Sequence, residues 1–469
     1  MDSRIKLSHS ILGLIAEYEH SLEDGKRLYL DDKEYLRIIS YYQEELDLDS
    51  AISAADHAIK QYSYRSDFRT LKIKLLINKG LLDHALDAIG MAEIVSPNEI
   101  DLKLLKINVY ILQKRYDQAS SLIEDLKKNC NPSDLQDVYV AEAYYCESLQ
   151  EYYQMFQILK KALILNPNNE EALILMNESV NQSKNFEESI LLHKVIVDNH
   201  PYNHLAWYNL ASAYSCVGEY AKAIEASEYS FIINPGFQQG YYDCAEYLVE
   251  KNHHTRALDI YQEALAVFGP EIDLLMNIAN CQYKLLLVDQ AKRTLFEVLE
   301  IDNYSDEALY LLAKCYIKNQ DYNSAVKILR KAISIENGIE EYFDALGRAY
   351  HKLNDVDRAS YYYNRAAEQG LEVSKYWENY ILFLIEQEKY DKAEKIIKRA
   401  DRYTFSYRLQ YLNASCQILL GNEKYGMELL KDALTEDFAE HYVLFDLPAM
   451  IIENPIILSM INYYEKESI

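Results

Sequence analysis

Glycine and proline are scarce, 13 and 8 among 469 residues, against the roughly 7% and 5% of an ordinary chain. Folds built from many short strands need those residues at their turns, so a β-rich architecture is excluded in favour of helices joined by short loops. Long apolar runs are also missing. None approaches the ~18 residues that would cross a bilayer, so no membrane insertion is expected. The apolar run 11–16 is shorter than the core of a secretory leader and follows polar Ser8, His9 and Ser10. The seven cysteines are odd in number and scattered, with no CxxC pair. They fit reduced thiols rather than a disulfide framework, and a cytoplasmic location is expected. Positive charge is short as well: 48 Lys and Arg stand against 74 Asp and Glu, a net charge of −26. A nucleic-acid backbone or an anionic membrane needs clustered positive charge, so neither is expected as the main partner.

Recognisable catalytic patterns are absent too. No phosphate-binding GxxxxGK[ST] or GxGxxG, no HExxH and no GxSxG occurs. The expectation is no enzyme and no cofactor. His253-His254 is the one adjacent histidine pair, and two ligands fall short of the three or four that a metal site needs, so no metal is expected.

What is present is a period. Pro97, Pro132, Pro167, Pro201, Pro235 and Pro270 recur 34 or 35 residues apart. The clearest unit carries Trp207, Leu210, Ala211, Tyr214, Gly218, Tyr220, Ala223 and Pro235. Steps of 34 from Ala223 reach Ala257, Ala291, Ala325, Ala359 and Ala393; backward steps reach Ser189, Met155, Ala119, Ala85 and Ala51, and Gly426 closes the series. Apolar residues at positions 4, 7, 8 and 11 of each unit, such as Phe343, Leu346, Gly347 and Tyr350, make one helical face; Ala359, Tyr363 and Ala366 make a second. Small residues at positions 8 and 20 let two antiparallel helices approach closely, and neighbouring pairs must stack to bury both faces. Ile39, Ile73 and Ile107 replace the small residue at position 8 in the first three units.

This pattern resembles the tetratricopeptide repeat, W-x2-L-G-x2-Y…A-x3-F…P. The resemblance implies an all-α, right-handed superhelical solenoid of antiparallel helix hairpins. Twelve repeats are expected over 32–439, starting near 32, 66, 100, 136, 170, 204, 238, 272, 306, 340, 374 and 407, between a capping helix in 1–31 and capping helices in 440–469. Ile5, Leu12, Ile15, Tyr18 and Leu22 suggest the apolar face of the first cap, and Asn454-Pro455 suggests the start of the last helix.

By the same resemblance, positions 2, 5, 9, 12 and 13 of each first helix line a concave groove. In the first seven repeats that stripe holds nine carboxylates, among them Asp101, Asp137 and Glu171, against Lys33 and Lys74. In repeats eight to ten, positions 9, 12 and 13 hold Lys284, Lys314, Lys318, Arg348, His351 and Lys352, and Asp273, Glu307, Glu341 and Asp344 are expected toward one rim. Asn280, Tyr208, Tyr242, Tyr283 and Tyr310 share the stripe, with Met276 beside them. Together they suit an extended partner peptide bearing acidic residues or a free carboxylate; the same lysines also fit a solvated face on which they balance nearby acids. The carboxylate clamp of heat-shock co-chaperones is not matched, because Met276, Leu311, Glu341 and Ala345 occupy its positions. The expected function is a protein-interaction scaffold or adaptor, with a structural subunit of a larger assembly, binding through convex and edge surfaces, as the alternative.

Overall fold

The computed structural model describes residues 2–23 and 29–467, with side chains placed for 11–22, 29–448 and 450–466. Helices are the only regular elements among these residues. Most have 13 or 14 residues, close to the length at which an isolated helix is marginal in water, so each depends on its neighbours. The first helix of each pair begins at residue 32, 66, 100, 135, 170, 204, 238, 272, 306, 340, 374 or 407. Each is followed by a second helix after three residues, as Ile272–Lys284 is by Val288–Ile301, or after two in the case of Glu170–Ser183 and Phe186–Asn199. Only the fourth start differs from the spacing read in the sequence, by one residue, next to the insertion around Pro132.

The small residues explain how the pairs close. Ala51, Ala85, Ala119, Ala223, Ala257, Ala291, Ala325, Ala359 and Ala393 have no exposed surface, and Met155, Ser189 and Gly426 in the same register are buried too. A Cβ on Gly347 would stand 2.8 Å from the Tyr363 ring, and one on Gly426 2.5 Å from Ile418. These spacings leave no room for a larger side chain without displacement.

The turn inside each pair recurs as well. Leu46, Lys114, Gln150, Lys184, Asn252, Leu286, Gln320, Asn354 and Glu388 all have φ between 56° and 62°, and Gly80, Gly218 and Gly421 take the same turn position. Leu287 N–H donates to Gln282 O at 2.9 Å and Leu286 N–H to Tyr283 O at 3.1 Å. This is a Schellman end, which normally places glycine in the left-handed residue. The shortage of glycine read in the sequence therefore falls on the turns, nine of which hold a side chain where glycine is favoured.

The chain divides into two compact units, 1–247 and 248–469. In the first, the helix Asp2–Glu23 buries Ile15 and Tyr18, with the Tyr18 hydroxyl 2.8 Å from His57 Nδ1. Leu12 and Leu22, expected on that face, point to solvent; half-buried Ile11 and Leu14 complete it instead, because they lie one helical turn before Ile15 and Tyr18. The side chain of Ile5 lies outside the described residues. In the second unit, Trp377, Tyr261, Tyr380 and Tyr411 are the largest core side chains. A 3-10 helix Phe438–Asp446 and the helices Ala449–Ile452 and Pro455–Glu467 end it. Asn454 Oδ1 accepts from Ile456 N–H at 2.9 Å, so the last helix starts one residue earlier than an apolar pattern alone suggests, at Pro455.

A cluster of buried polar groups interrupts the first unit's core. His193 is fully buried; its Nδ1 lies 2.9 Å from Ser189 O, and its Nε2 lies 3.3 Å from Asn209 Nδ2. Nδ1 therefore donates and Nε2 accepts, which is the neutral imidazole. Burial pulls its pKa down to about 4.

Two outcomes follow from these features. Replacing Leu286 by Gly relieves a left-handed conformation costing an L-residue ~1–2 kcal/mol, partly offset by the glycine's greater unfolded-state entropy. The urea midpoint of Leu286→Gly is expected to rise by the equivalent of about 0.5–1 kcal/mol, while Leu287→Gly, at φ −80°, lowers it. For His193, the unfolded chain binds a proton near pH 6.5 that the folded chain refuses until about pH 4. Stability is thus complete above the unfolded pKa and falls as pH drops through that window, by up to ~1.4 kcal/mol per pH unit. Urea titrations at several pH values are expected to show a shallower fall for His193→Phe than for the parent chain; equal slopes would contradict the neutral assignment.

Candidate peptide-binding surface

Four helices of the second unit carry the basic stripe: Ile272–Lys284, Asp306–Lys318, Glu340–Lys352 and Ser374–Glu386. Their apolar faces are used up in packing, as the burial of Leu275, Ile278, Leu312, Leu346 and Ile381 shows. The residues one-third of a turn away are left for solvent.

Lys314 sits at the middle. It is half-buried, with Nζ 5.0 Å from the centre of the Tyr283 ring and 5.4 Å from that of Tyr310. Burial, and then the nearby charges of Lys284, Arg348 and Lys375, hold its ammonium below the usual lysine range. Neither Lys314 nor exposed Lys284, Lys318 and Lys352 makes an ion pair among the described residues. Tyr310 in turn packs on Tyr342 at 4.9 Å between ring centres, and the Tyr342 hydroxyl donates to Asp306 at 2.7 Å. This chain of contacts fixes the ring that faces Lys314. Asn280 is exposed on the first of the four helices.

The other two basic residues are compensated, and here the structure corrects the reading of the stripe. Asp344, expected at the rim, is buried, and its Oδ2 lies 3.0 Å from Arg348 Nε while its Oδ1 accepts from Asn379 Nδ2 at 2.9 Å. Arg348 stands one helical turn after Asp344, so the pair closes within the helix. His351 Nε2 lies 3.1 Å from Glu386 Oε2, and its ring packs edge-on to Phe383 at 4.9 Å. Glu386 comes from the neighbouring first helix, which the stripe read over repeats eight to ten did not include. For the same reason Lys375 was missed: it is exposed at position 2 of that helix and adds to the charge around Lys314.

Tyr208 and Tyr242 belong to the first unit. Tyr208 is half-buried with its ring edge-on to Phe237 at 5.1 Å, beside a cavity of about 370 Å³ lined by Leu173, Asn177, Leu205 and Asn209. Burial, and then the carboxylate of Asp243, raise its hydroxyl pKa. Tyr242 is half-buried, and its hydroxyl accepts from Gln238 Nε2 at 3.0 Å.

Other residue types singled out in the sequence are placed as packing. Cys281 and Cys315 are buried, and burial pushes both thiols up to about 11. His253 and His254 straddle a helix start. Among the described residues no group of three or more His, Cys, Asp or Glu is arranged to hold a metal ion. No described helix is long and apolar enough to cross a membrane.

Comparison with known families gives two matches, both described as tetratricopeptide repeat, at residues 288–345 and 345–406. No curated protein matches the chain. Among solved structures, yeast Tom70 is similar at 14% identity with a TM-score of 0.40, covering 93% of this chain and 96% of its own. The Cut9-Hcn1 hetero-tetramer of APC/C is similar at 16% identity and a TM-score of 0.38, over 86% of this chain and 90% of its own. A tetratricopeptide repeat protein from Parabacteroides merdae also has 16% identity and a TM-score of 0.38, over 53% of this chain and 98% of its own. The matched stretch carries the buried alanine, the left-handed turn residue and the paired helices. Hairpins outside it repeat the paired helices and the left-handed turn, with alanine at the buried position in five of them and Met155, Ser189 or Gly426 in the others. Residues 288–406 match the tetratricopeptide repeat, the hairpins on either side share its architecture, and the fold is that of a protein-interaction or assembly scaffold.

Proposed function

We propose that the protein is an adaptor that captures an extended, acidic segment of a partner protein on the first helices of the second unit. The observation that carries this reading is the Lys314 ammonium, half-buried over the Tyr283 and Tyr310 rings, near other cations and in no ion pair among the described residues. A carboxylate from outside would supply the missing counter-charge, while the two rings and Met276 offer apolar contact to the neighbouring side chains of the segment. Lys284, Lys318, Lys352 and Lys375 extend the positive surface; they favour encounter and select the sign of the partner more than they add affinity. Arg348 and His351 act differently, since internal carboxylates already hold them. They position the surface and contribute less net charge. Asn280 can donate or accept at the edge.

Tetratricopeptide folds are typically non-catalytic, and nothing in the site's chemistry asks for a reaction. An assembly role is favoured by a different feature: Met91, Ile94 and Val95 on the second helix Leu82–Val95 of one hairpin are 71%, 83% and 60% exposed. Such side chains suit a protein contact away from the first helices. That reading expects the chain to purify with a partner in fixed stoichiometry, lost on Ile94→Asp and Val95→Asp together.

The adaptor reading is tested with fluorescein-labelled peptides of alternating Glu and Leu, or Arg and Leu, titrated with the full chain. The acidic peptide is expected to bind, and Lys284→Glu with Lys318→Glu to weaken it by about tenfold or more. Lys314→Met should weaken it comparably without lowering the melting temperature, because the variant removes an unpaired half-buried charge and keeps the apolar stem. Unchanged binding in both variants would reject the site. Arg348 is unsuitable for reversal, since a glutamate there would face buried Asp344.

A further inference from the structure

A second concave feature lies in the first unit and has the opposite character. The first helices Ser66–Asn78, Ile100–Leu112, Leu135–Ser148 and Glu170–Ser183 enclose a cavity of about 420 Å³, within the ~300–1,000 Å³ typical of ligand pockets. Its floor is apolar, made by Leu104, Ile111, Val140 and Ala141. Around it stand Asp101, Asp137 and Glu171, one from each of three successive first helices, with Lys74 the one cation in the lining.

These acids are uncompensated. Elsewhere in the same unit carboxylates meet cations: Glu93 lies 2.9 Å from Lys106, Asp56 2.6 Å from Lys72 and Glu142 2.8 Å from Lys127. Asp101, Asp137 and Glu171 make no ion pair among the described residues. Among the described residues Glu171 accepts the Tyr144 hydroxyl alone, at 2.8 Å. Asp137 is half-buried, and its carboxyl is pushed above the usual range by burial and by the charges of Asp134, Asp101 and Glu171. The acids come from three successive first helices, and among the described residues no three of them converge as metal ligands would. An extended cation therefore fits this arrangement better than a point charge.

We propose that this cavity docks an extended segment of a partner protein that sets a lysine or arginine among Asp101, Asp137 and Glu171 and an adjacent apolar side chain on Leu104, Ile111 and Val140. The long stem of a basic side chain is itself apolar and lies along such a floor while its charged end reaches the acids. Arginine, a planar and weakly hydrated cation with several donors, can meet more than one of the three carboxylates at once. Membrane surfaces and nucleic acids present the wrong sign of charge. The site is independent of the basic surface of the second unit and takes the opposite partner chemistry.

The probe is a short fluorescein-labelled peptide of alternating Arg and Leu, titrated with the full chain at near-physiological ionic strength; an Arg and Ser peptide is the comparison. The Arg and Leu peptide is expected to bind, and Asp101→Asn, Asp137→Asn and Glu171→Gln combined to weaken it by about tenfold or more. Lys284→Glu with Lys318→Glu should leave it unchanged, so that this site and the acidic-peptide site fail or succeed separately. The Arg and Ser peptide should bind several-fold more weakly. Equal binding of the two peptides would reduce the effect to long-range charge and overturn the proposal, as would unchanged binding by the triple variant. Displacement of the peptide by an equimolar small polyamine such as spermine would likewise reject a protein segment as occupant. As a check independent of variant folding, the bound peptide should slow amide exchange in Ile100–Leu112 and Leu135–Ser148 of the parent chain; no slowing there also overturns the site.

Discussion

Everything in this structure depends on how closely two short helices can approach. Helices of this length gain little from their own hydrogen bonds, so packing must hold them, and the register of buried small residues sets the distance. Ala223 or Ala291 brings the second helix of a pair against the first and leaves room only for the aromatic rings beside it. Gly347 and Gly426 show the limit, since even a methyl group would collide with Tyr363 or Ile418. Because the two apolar faces of each helix pair are consumed in this way, the remaining stripe of the first helix carries fewer structural duties. Charge there can vary from hairpin to hairpin without disturbing the core. The same architecture thus carries bare acids at Asp101, Asp137 and Glu171 and bare cations at Lys284, Lys314 and Lys318.

The architecture was largely legible in the letters because packing at fixed spacing leaves a periodic trace. Alanine every 34 residues located the second helices, and the proline series located the junctions between pairs. Less legible were features that depend on three-dimensional neighbours. The left-handed turn residue was invisible at nine of twelve turns, because Leu46, Lys114, Leu286 and their counterparts are not the residue type that signals it. Sequence shows such a position only when glycine fills it; here the shared hydrogen-bond pattern enforces the conformation on whatever side chain is present. The N-terminal helix was found, but its face was misread by choosing Leu12 and Leu22 over Ile11 and Leu14. Several apolar stripes can be drawn on one amphipathic helix, and only its neighbour decides between them.

Charge compensation was the hardest property to read. Asp344 and Arg348 are separated by one helical turn, a spacing visible in the sequence, yet the stripe placed Asp344 in solvent at a rim. Its burial comes from the next pair, whose Asn379 supplies the second hydrogen bond. Glu386 and Lys375 also lie on that next first helix and act in different ways, one meeting His351 at 3.1 Å and the other adding to the charge at Lys314. A surface made by stacking cannot be reckoned one repeat at a time.

These contacts separate the cations of the second unit into two kinds with different physical roles. Arg348 is tied to a buried acid, and removing either partner would leave a charge or a carboxylate without its counterpart, which costs more than the pair itself contributes. Such a pair fixes geometry and is poorly suited to meeting a newcomer. Lys314 is the reverse. Its half-burial disfavours the charge, its near neighbours repel it, and the Tyr283 and Tyr310 faces offset only part of that cost. A partner carboxylate placed between Lys314 and Lys284 would relieve repulsion as well as gain attraction, so its contribution exceeds that of an exposed ion pair on an otherwise balanced surface. The aromatic faces keep the ammonium in place before anything binds, which reduces the ordering needed on contact. In the proposed complex, selectivity for an acidic segment therefore originates in a tension already present in the free chain.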